Sequence, residues 1–475
     1  MKVYGIAVSK HFNLPFGSQI FNMIKKIKSN KIYYQSTITL AGPVVISQLG
    51  HTLVQTLDTV IIGHYAGTIS LAAVSLVHSV FMVVLVIGLG IAYGLTPLIA
   101  QENGKSNFKE CAKLLSNSLW LNIAAAVFLF LIVYYGSMFA MQHADQDPKV
   151  VETAKPYLLV LSLSILPLMI FQTFKQFAEG LGFTKQAMSI TIWGNVLNVI
   201  IAVILVKGMF GIEPMGVQGV GIATLIDRVL MMLVMMWYVL RSKNFKVYIE
   251  HFSVKFVNFS KIIKVVKIGL PVAMQYVFEI GAFAAAALMA GHIGAIEQAA
   301  HQTAITLAAM TYMMAGGIAS AATIKVGNSF GNQKYKRLQR FAYASYHLVI
   351  IFMMFFAVIF TLFNQYLPYL ITNDTNVVAL AAQLLIIAAL FQLFDGTQVV
   401  GLGTLRGMGD VNIPTFITFI AYWLIGLPVA YVLGIHFDAG VKGIWYGLTL
   451  GLLTSSVLLY LRFRYVMNKV LKNNL

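Results

Sequence analysis

A single cysteine, Cys111, stands in 475 residues, so intrachain disulfides and thiolate metal clusters are excluded. Charge is equally scarce. Only 10% of residues are Asp, Glu, Lys or Arg, against 59% hydrophobic, and the mean hydropathy is +0.80, far outside the range of soluble domains. No HExxH, glycine-rich phosphate loop or nucleophile elbow occurs, and the loops are too short for a soluble catalytic domain. The chain therefore reads as neither an enzyme nor an ATP-driven machine. Residues 1–36 lack the charged start, apolar core and small-residue cleavage site of a secretory signal, so no segment is expected to be removed.

What fills the chain is apolar sequence long enough to span hydrocarbon. Runs of about 20 residues, the length a membrane helix needs, recur twelve times. They cover approximately 37–63, 71–99, 114–138, 154–174, 186–206, 216–240, 265–291, 298–324, 341–364, 376–402, 411–434 and 440–461. A barrel would show short alternating segments instead, so the fold class is all-α integral membrane. The net charge of +17 raises nucleic acid as a partner, but placing the basic residues dismisses it. Taking alternate loops and both termini as one side puts 28 of the 33 Lys and Arg there, four on the other side, and Arg228 inside a span. That asymmetry makes both termini cytoplasmic and the lipid bilayer the partner. Phe21 to Tyr34 reads as a basic flank, with an amphipathic surface helix as the alternative. Cys111 is expected in a cytoplasmic loop.

The chain is also written twice. At an offset of 228, Gly42-Pro43-Val44 falls on Leu270-Pro271-Val272 and Gly63-His64 on Gly291-His292. At 227, Gly180-Leu-Gly182 falls on Gly407-Met-Gly409, and at 224 Gly216-Val-Gln-Gly219 meets Gly440-Val-Lys-Gly443. Register held this far is not chance. Six spans per copy is an even number, so both copies enter from one side. Two six-helix bundles related by a pseudo-twofold axis along the membrane normal are expected, as in transporters built from parallel repeats. The boundaries expected are a cytoplasmic segment 1–36, an N-lobe 37–240, a cytoplasmic linker 241–264, a C-lobe 265–462 and a cytoplasmic tail 463–475.

A charged side chain at bilayer depth costs roughly 2.5–3.5 kcal/mol on insertion scales and must face water, an ion or a partner. Two such acids are Glu279 in the seventh span, with Gln275 and Tyr276 one turn before it, and Asp395 in the tenth, sharing a face with Gln392 and Gln398 beside Phe391. They read as a coupling-cation site. In the first span Gln48, His51, Gln55 and Asp58 line one helix face, and the charge of Asp58 argues for more than interhelical glue. Thr191, Asn195 and Asn198 form a shorter stripe for which glue serves as well. Asp227 and Arg228 are adjacent, do not face each other, and read as structural. His301 reads as a packed interhelical histidine, with reach to the ion site as the alternative.

Several of these residues sit in motifs. Leu57-Asp58-Thr-Val-Ile-Ile-Gly63, Phe278-Glu279 with Ala299-Ala-His-Gln302, Lys325-Val-Gly327, and Asp395-Gly-Thr-Gln398 with Leu405-Arg-Gly-Met-Gly409 together resemble the multidrug and toxic compound extrusion (MATE) family, in its NorM-like bacterial branch. The resemblance runs from about residue 37 to 462. It implies two lobes around a V-shaped cleft and export of organic, often cationic and amphipathic, compounds against sodium or protons. It also implies that Glu279 and Asp395 bind the cation and that Asp58 belongs to the N-lobe cavity. Asn198 matches an asparagine that many members place four residues before an Asp or Asn; here that position is Ala202, which weakens an N-lobe ion site.

The function expected is thus secondary antiport of small organic molecules, in a bacterial inner membrane, with no cofactor beyond the ion. Oxygen ligands from Glu279 and Asp395, with Gln275, Tyr276 or Gln398, suit sodium; a buried carboxylate carries a proton equally well. A flippase for a lipid-linked precursor is the alternative, disfavoured by finding only Arg228 as a basic residue at span depth. A passive channel or scaffold is the third. Each lobe can bury its own polar stripe, so a monomer suffices.

Overall fold

Backbone geometry repeats along the chain as the sequence does. The computed structural model describes residues 15–143 and 147–472, and within these the side chains of 15–30, Gln55 and Thr68 lie outside what is described. The surface-helix reading of Phe21 to Tyr34 therefore falls largely outside the described residues, as does the Gln55 side chain. Eight of the eleven positive φ angles among the described residues come in mates: Ser106 and Gln333 (58° and 56°), Gly182 and Gly409 (91° and 82°), Phe210 and Asp438 (58° and 56°), Gly216 and Gly440 (52° and 62°). Each pair keeps the offset of the sequence repeat, so the same turns close the same helices twice.

Twelve helices long and apolar enough to cross a membrane are present among the described residues: α1 (Lys31–Tyr65), α2 (Ile69–Gly104), α3 (Phe108–His143), α4 (Pro148–Gly180), α5 (Thr184–Lys207), α6 (Gly216–Arg241), α7 (Phe259–Ile293), α8 (Ala295–Gly331), α9 (Tyr335–Leu362), α10 (Thr375–Gly407), α11 (Asn412–His436) and α12 (Gly440–Lys472). Most outrun the expected spans at the end carrying the basic clusters. Two expectations change as a result. Cys111 is not in a loop but fully buried in the first turns of α3, its thiol directed at the Ile99 carbonyl 3.9 Å away. Span four does not stop at 174; it continues to Gly180, because Phe174, Phe177 and Ala178 keep an apolar face buried.

One apolar core is made almost wholly by α1 to α6, and two more by α7 to α12. Each six-helix half thus has its own interior. The joint between the halves is not a loose tether. Phe245 is fully buried against Phe183 (ring centroids 4.9 Å) and Tyr238 (5.4 Å), and Trp120 donates to the Val254 carbonyl (2.7 Å). Ion pairs from Lys261 to Glu110 and from Lys264 to Glu102 fasten the start of α7 to the N-terminal half.

Between the halves lies a seam made by glycine. A Cβ on Gly90 of α2 would sit 2.3 Å from Ala273 Cα of α7, and one on Gly317 of α8 would sit 2.3 Å from the Val45 side chain of α1. Likewise Gly104 backs onto the Asn328 carbonyl (2.2 Å) and Gly331 onto that of Gln101 (1.9 Å). In both cases the second contact is the first with the repeats exchanged, so the seam obeys the pseudo-twofold. These approaches all involve the parts of α1, α2, α7 and α8 nearer the basic end. Gly90→Val is expected to force the seam, at about 1–3 kcal/mol of overpacking, and to lower the thermal midpoint of the detergent-solubilised protein. An unchanged midpoint would contradict close packing there.

Candidate functional site

Between the halves lies a cavity of about 360 Å³ lined by α1, α2, α4, α5, α6, α7, α8 and α10. Its lining includes the ring pair Tyr93 and Tyr276, centroids 6.0 Å apart across the two halves, and continues towards the basic end to Thr96, Glu179, Ile324 and Arg406. Of the residues singled out in the sequence, Asp58, Asn195, Asn198, Gln275, Tyr276 and Glu279 line it; Phe391, Gln392, Asp395, Gln398 and His301 do not.

Those in the second group sit deeper in the C-terminal half. Glu279 and Asp395 are 5% and 3% exposed, and each is close enough for its charge to act on the other. Tyr312 donates to Glu279 Oε2 (3.3 Å), and Gln398 Nε2 donates to the Tyr422 hydroxyl (2.7 Å), which also meets the Glu279 carboxylate. Tyr422 lies in a π-helical stretch of α11, Ile420–Gly426, just before Pro428, which has no N–H for the helical ladder. Four buried acceptor oxygens are left without a donor: Glu279 Oε1, Asp395 Oδ1, Gln392 Oε1 and Gln398 Oε1. Buried polar atoms are normally satisfied. Oxygens lacking donors are what a hard cation binds. Among the described residues no group of three or more His, Cys, Asp or Glu gathers, and the candidate set here is two carboxylates and two amides. Glu279 is its face towards the cavity and Asp395 its back.

Gln275 is otherwise engaged. Its amide donates to Thr415 Oγ1 (3.0 Å) and its oxygen accepts from Arg406 Nη2 (3.2 Å). His301 is 1% exposed and packs edge-on to Trp445, centroids 5.8 Å apart, with Nδ1 unpartnered. Phe391 is fully buried and lies tilted against Trp445 (5.3 Å) and Phe283 (6.0 Å).

On the N-terminal wall, Asp58 and Asp227 are 7% and 4% exposed, each with a buried unpartnered Oδ1. Arg228 is near both without an ion pair within 4.0 Å; it donates to Ser164 Oγ (2.7 Å) and lies over the Phe81 ring (5.5 Å). Asp227 and Arg228 therefore line the cavity. Asn198 donates weakly to Thr224 (3.4 Å), while Asn195 Nδ2 is unpartnered beside Gly50, whose absent Cβ would stand 2.7 Å from it. Sequence reasoning did not single out Lys175, Glu179, Arg406, Tyr312 or Tyr422. The first two fell beyond the expected end of span four, Arg406 beyond that of span ten, and a tyrosine in an apolar run carries no signal of its own. The expectation of one basic residue at span depth is corrected: Lys175, Arg228 and Arg406 all line the cavity.

Removing Arg228 would leave Asp58 and Asp227 uncompensated. Arg228→Met is expected to destabilise the protein by about 3–5 kcal/mol, and adding Asp227→Asn to recover part of the loss. A thermal-unfolding double-mutant cycle reads this; strict additivity would contradict the coupling.

Comparison with known proteins agrees with this architecture. The MatE family pattern matches residues 43–204 and again 271–432, so the two matches start 228 residues apart. The multidrug resistance protein MdtK of Yersinia pseudotuberculosis is 32% identical over 436 residues, covering 91% of this chain and 95% of its own; that of Yersinia enterocolitica is 31% identical over the same shares. Among solved structures, the eukaryotic MATE transporter AtDTX14 superposes with a TM-score of 0.83 at 20% identity, covering 93% of this chain and 99% of its own. A multidrug resistance MATE family transporter in an outward-facing conformation superposes at 0.84, again at 20% identity, over 93% and 97%.

Proposed function

The chain belongs to the MatE family of membrane transporters, and from that premise we propose that it is a secondary active multidrug exporter, driving small organic compounds out of a bacterial cell against sodium or protons. The observation that supports the ion-coupled part is the pair of buried acids, Glu279 and Asp395, each with a carboxylate oxygen that has no donor. The names of its relatives carry the multidrug part.

With the basic end cytoplasmic, the close contacts of Gly104 and Gly331 lie towards the inner side, and we read the cavity as opening outward. A cation entering there meets Glu279 first and reaches Asp395 through it. Once the ion is bound, two buried acids no longer repel, and the C-terminal half can repack around a neutralised site. A cationic substrate and the ion compete for one negative region, so loading either favours release of the other as the halves rock. A single chain encloses the whole cavity, which is sufficient for a monomer.

Three basic residues on the cavity wall favour a second reading, a flippase for an anionic lipid-linked precursor. Ethidium efflux from cells, with sodium and pH gradients imposed separately, tests both. The wild type is expected to follow one of the gradients, and Glu279→Gln or Asp395→Asn to lower efflux at least tenfold with the protein still in the membrane. Efflux driven by neither gradient would overturn the exporter reading, and full activity in Asp395→Asn would overturn the site.

A further inference from the structure

The joint at the basic end is built twice, and only one copy carries its own counter-charge. On the N-terminal half, Glu110 in the first turn of α3 takes Lys261 from the start of α7, while Glu102 near the end of α2 takes Lys264 (3.4 Å). The repeat offsets of 227 and 228 carry Glu110 to Arg337 at the start of α9, Glu102 to Ser329 near the end of α8, and Lys261 to Tyr33 at the start of α1. Both acids are gone from the second copy. A cation and a tyrosine stand where the first has an ion pair.

Positive charge collects there instead. Lys325 of α8 lies over the Phe341 ring (5.6 Å), Arg337 over the same ring (5.5 Å), and Arg340 over Tyr33 (5.7 Å), whose ring meets Phe341 edge-on at 4.8 Å. Arg337 is close enough for its charge to act on Lys325. Among the described residues no carboxylate comes within 4.0 Å of any of the three, and the sequence has no acid between Glu297 and Asp374. Helix polarity adds to the imbalance: α9 starts with no acidic residue in its first turn and no side-chain cap, so the positive end of its dipole reinforces the same region.

Stacking on a ring positions a guanidinium without consuming its N–H donors. Arg340 gives one to the Tyr33 hydroxyl (3.4 Å); the rest of that side chain, Arg337 and Lys325 have no acceptor among the described residues. Deeper along the same two helices the surface turns apolar. The Tyr34 hydroxyl of α1 lies 2.8 Å from His347 Nδ1 of α9, and one turn further on each helix Ile38 and Ile351 are 53% and 66% exposed. Unpaired cations at the membrane boundary, with apolar side chains beyond them, match a charged headgroup and its acyl chains.

We infer that Arg337, Arg340 and Lys325 form a site for the phosphate of an anionic phospholipid in the leaflet at the basic end. Seated between α1 and α9, the phosphate ties the start of α1 to the C-terminal half, as Glu110 and Glu102 tie the start of α7 to the N-terminal half. The inference needs the chain to span a membrane and does not rest on the exporter reading. The basic cluster of α12 is a weaker candidate, because Arg462 is already paired with Asp410 (2.7 Å).

Native mass spectrometry of the full-length protein in neutral detergent, titrated with phosphatidylglycerol or with phosphatidylcholine of the same acyl chains, tests the site. The wild type is expected to bind its first phosphatidylglycerol about tenfold more tightly than phosphatidylcholine, the scale of a hydrogen bond to a charged group. Arg337→Gln/Arg340→Gln is expected to remove that preference. Lys243→Gln/Lys246→Gln, which deletes equal charge from exposed positions between the halves, is expected to keep it. No preference in the wild type overturns the inference, and so does an equal loss in the two double variants, which marks attraction to the basic surface at large. Displacement of the lipid by inorganic phosphate at equal concentration would make this a free-anion site and overturn the lipid assignment. If Arg337→Gln/Arg340→Gln does not fold, Lys325→Gln replaces it, with a reduced preference expected and an unchanged one contradicting the site.

Discussion

Two carboxylates buried in one half of a membrane protein, each with an oxygen that lacks a donor, set the terms for the rest of this structure. Burying ionised groups without partners is the costliest thing a fold can do. Glu279 and Asp395 are held there by α7 and α10, with Tyr312 and Tyr422 supplying hydroxyls and Phe391 packed against Trp445. The arrangement makes sense if a cation completes it. Access follows from the same geometry: the cavity reaches Glu279 but not Asp395, so the path to the inner acid runs through the outer one.

The scaffold around that site is symmetric and its chemistry is not. Paired turns with positive φ and a glycine seam whose contacts recur with the repeats exchanged show one backbone used twice. Side chains then divide the labour. Glu279 has His51 as its repeat equivalent and Asp395 has Leu168, whereas Asp58 and Asp227 have Ala286 and Gly451. One half thus carries the pair of buried acids proposed to hold an ion, and the other a mixed wall in which Arg228 lies near two acids. A symmetric scaffold with an asymmetric lining suits the proposed exchange, in which the two halves rock together while ion and substrate bind.

Much of this was legible in the sequence because membrane helices announce themselves by length and the repeat by its register. Glu279, Asp395 and Asp58 stood out for the same physical reason, the cost of charge at bilayer depth. Less visible was anything near a span end. Lys175 and Glu179 look like loop residues until α4 is seen to run six residues past its most apolar stretch, and Arg406 looks like part of a positive flank. Tyr312 and Tyr422 are found only by proximity, since an aromatic residue in a hydrophobic run is ordinary. Gln275 shows the converse. Its position one turn from Glu279 advertised a ligand, but Thr415 and Arg406 occupy its amide.

Equilibrium binding of radiolabelled sodium to the purified protein, at several pH values, addresses the central claim without requiring transport. One saturable class of sites, displaced by protons and lost in Asp395→Asn while the variant keeps its thermal midpoint, is the result this account predicts. Saturable sodium binding that persists unchanged in Asp395→Asn, or no saturable binding together with no proton uptake assigned to Glu279 and Asp395, would contradict it.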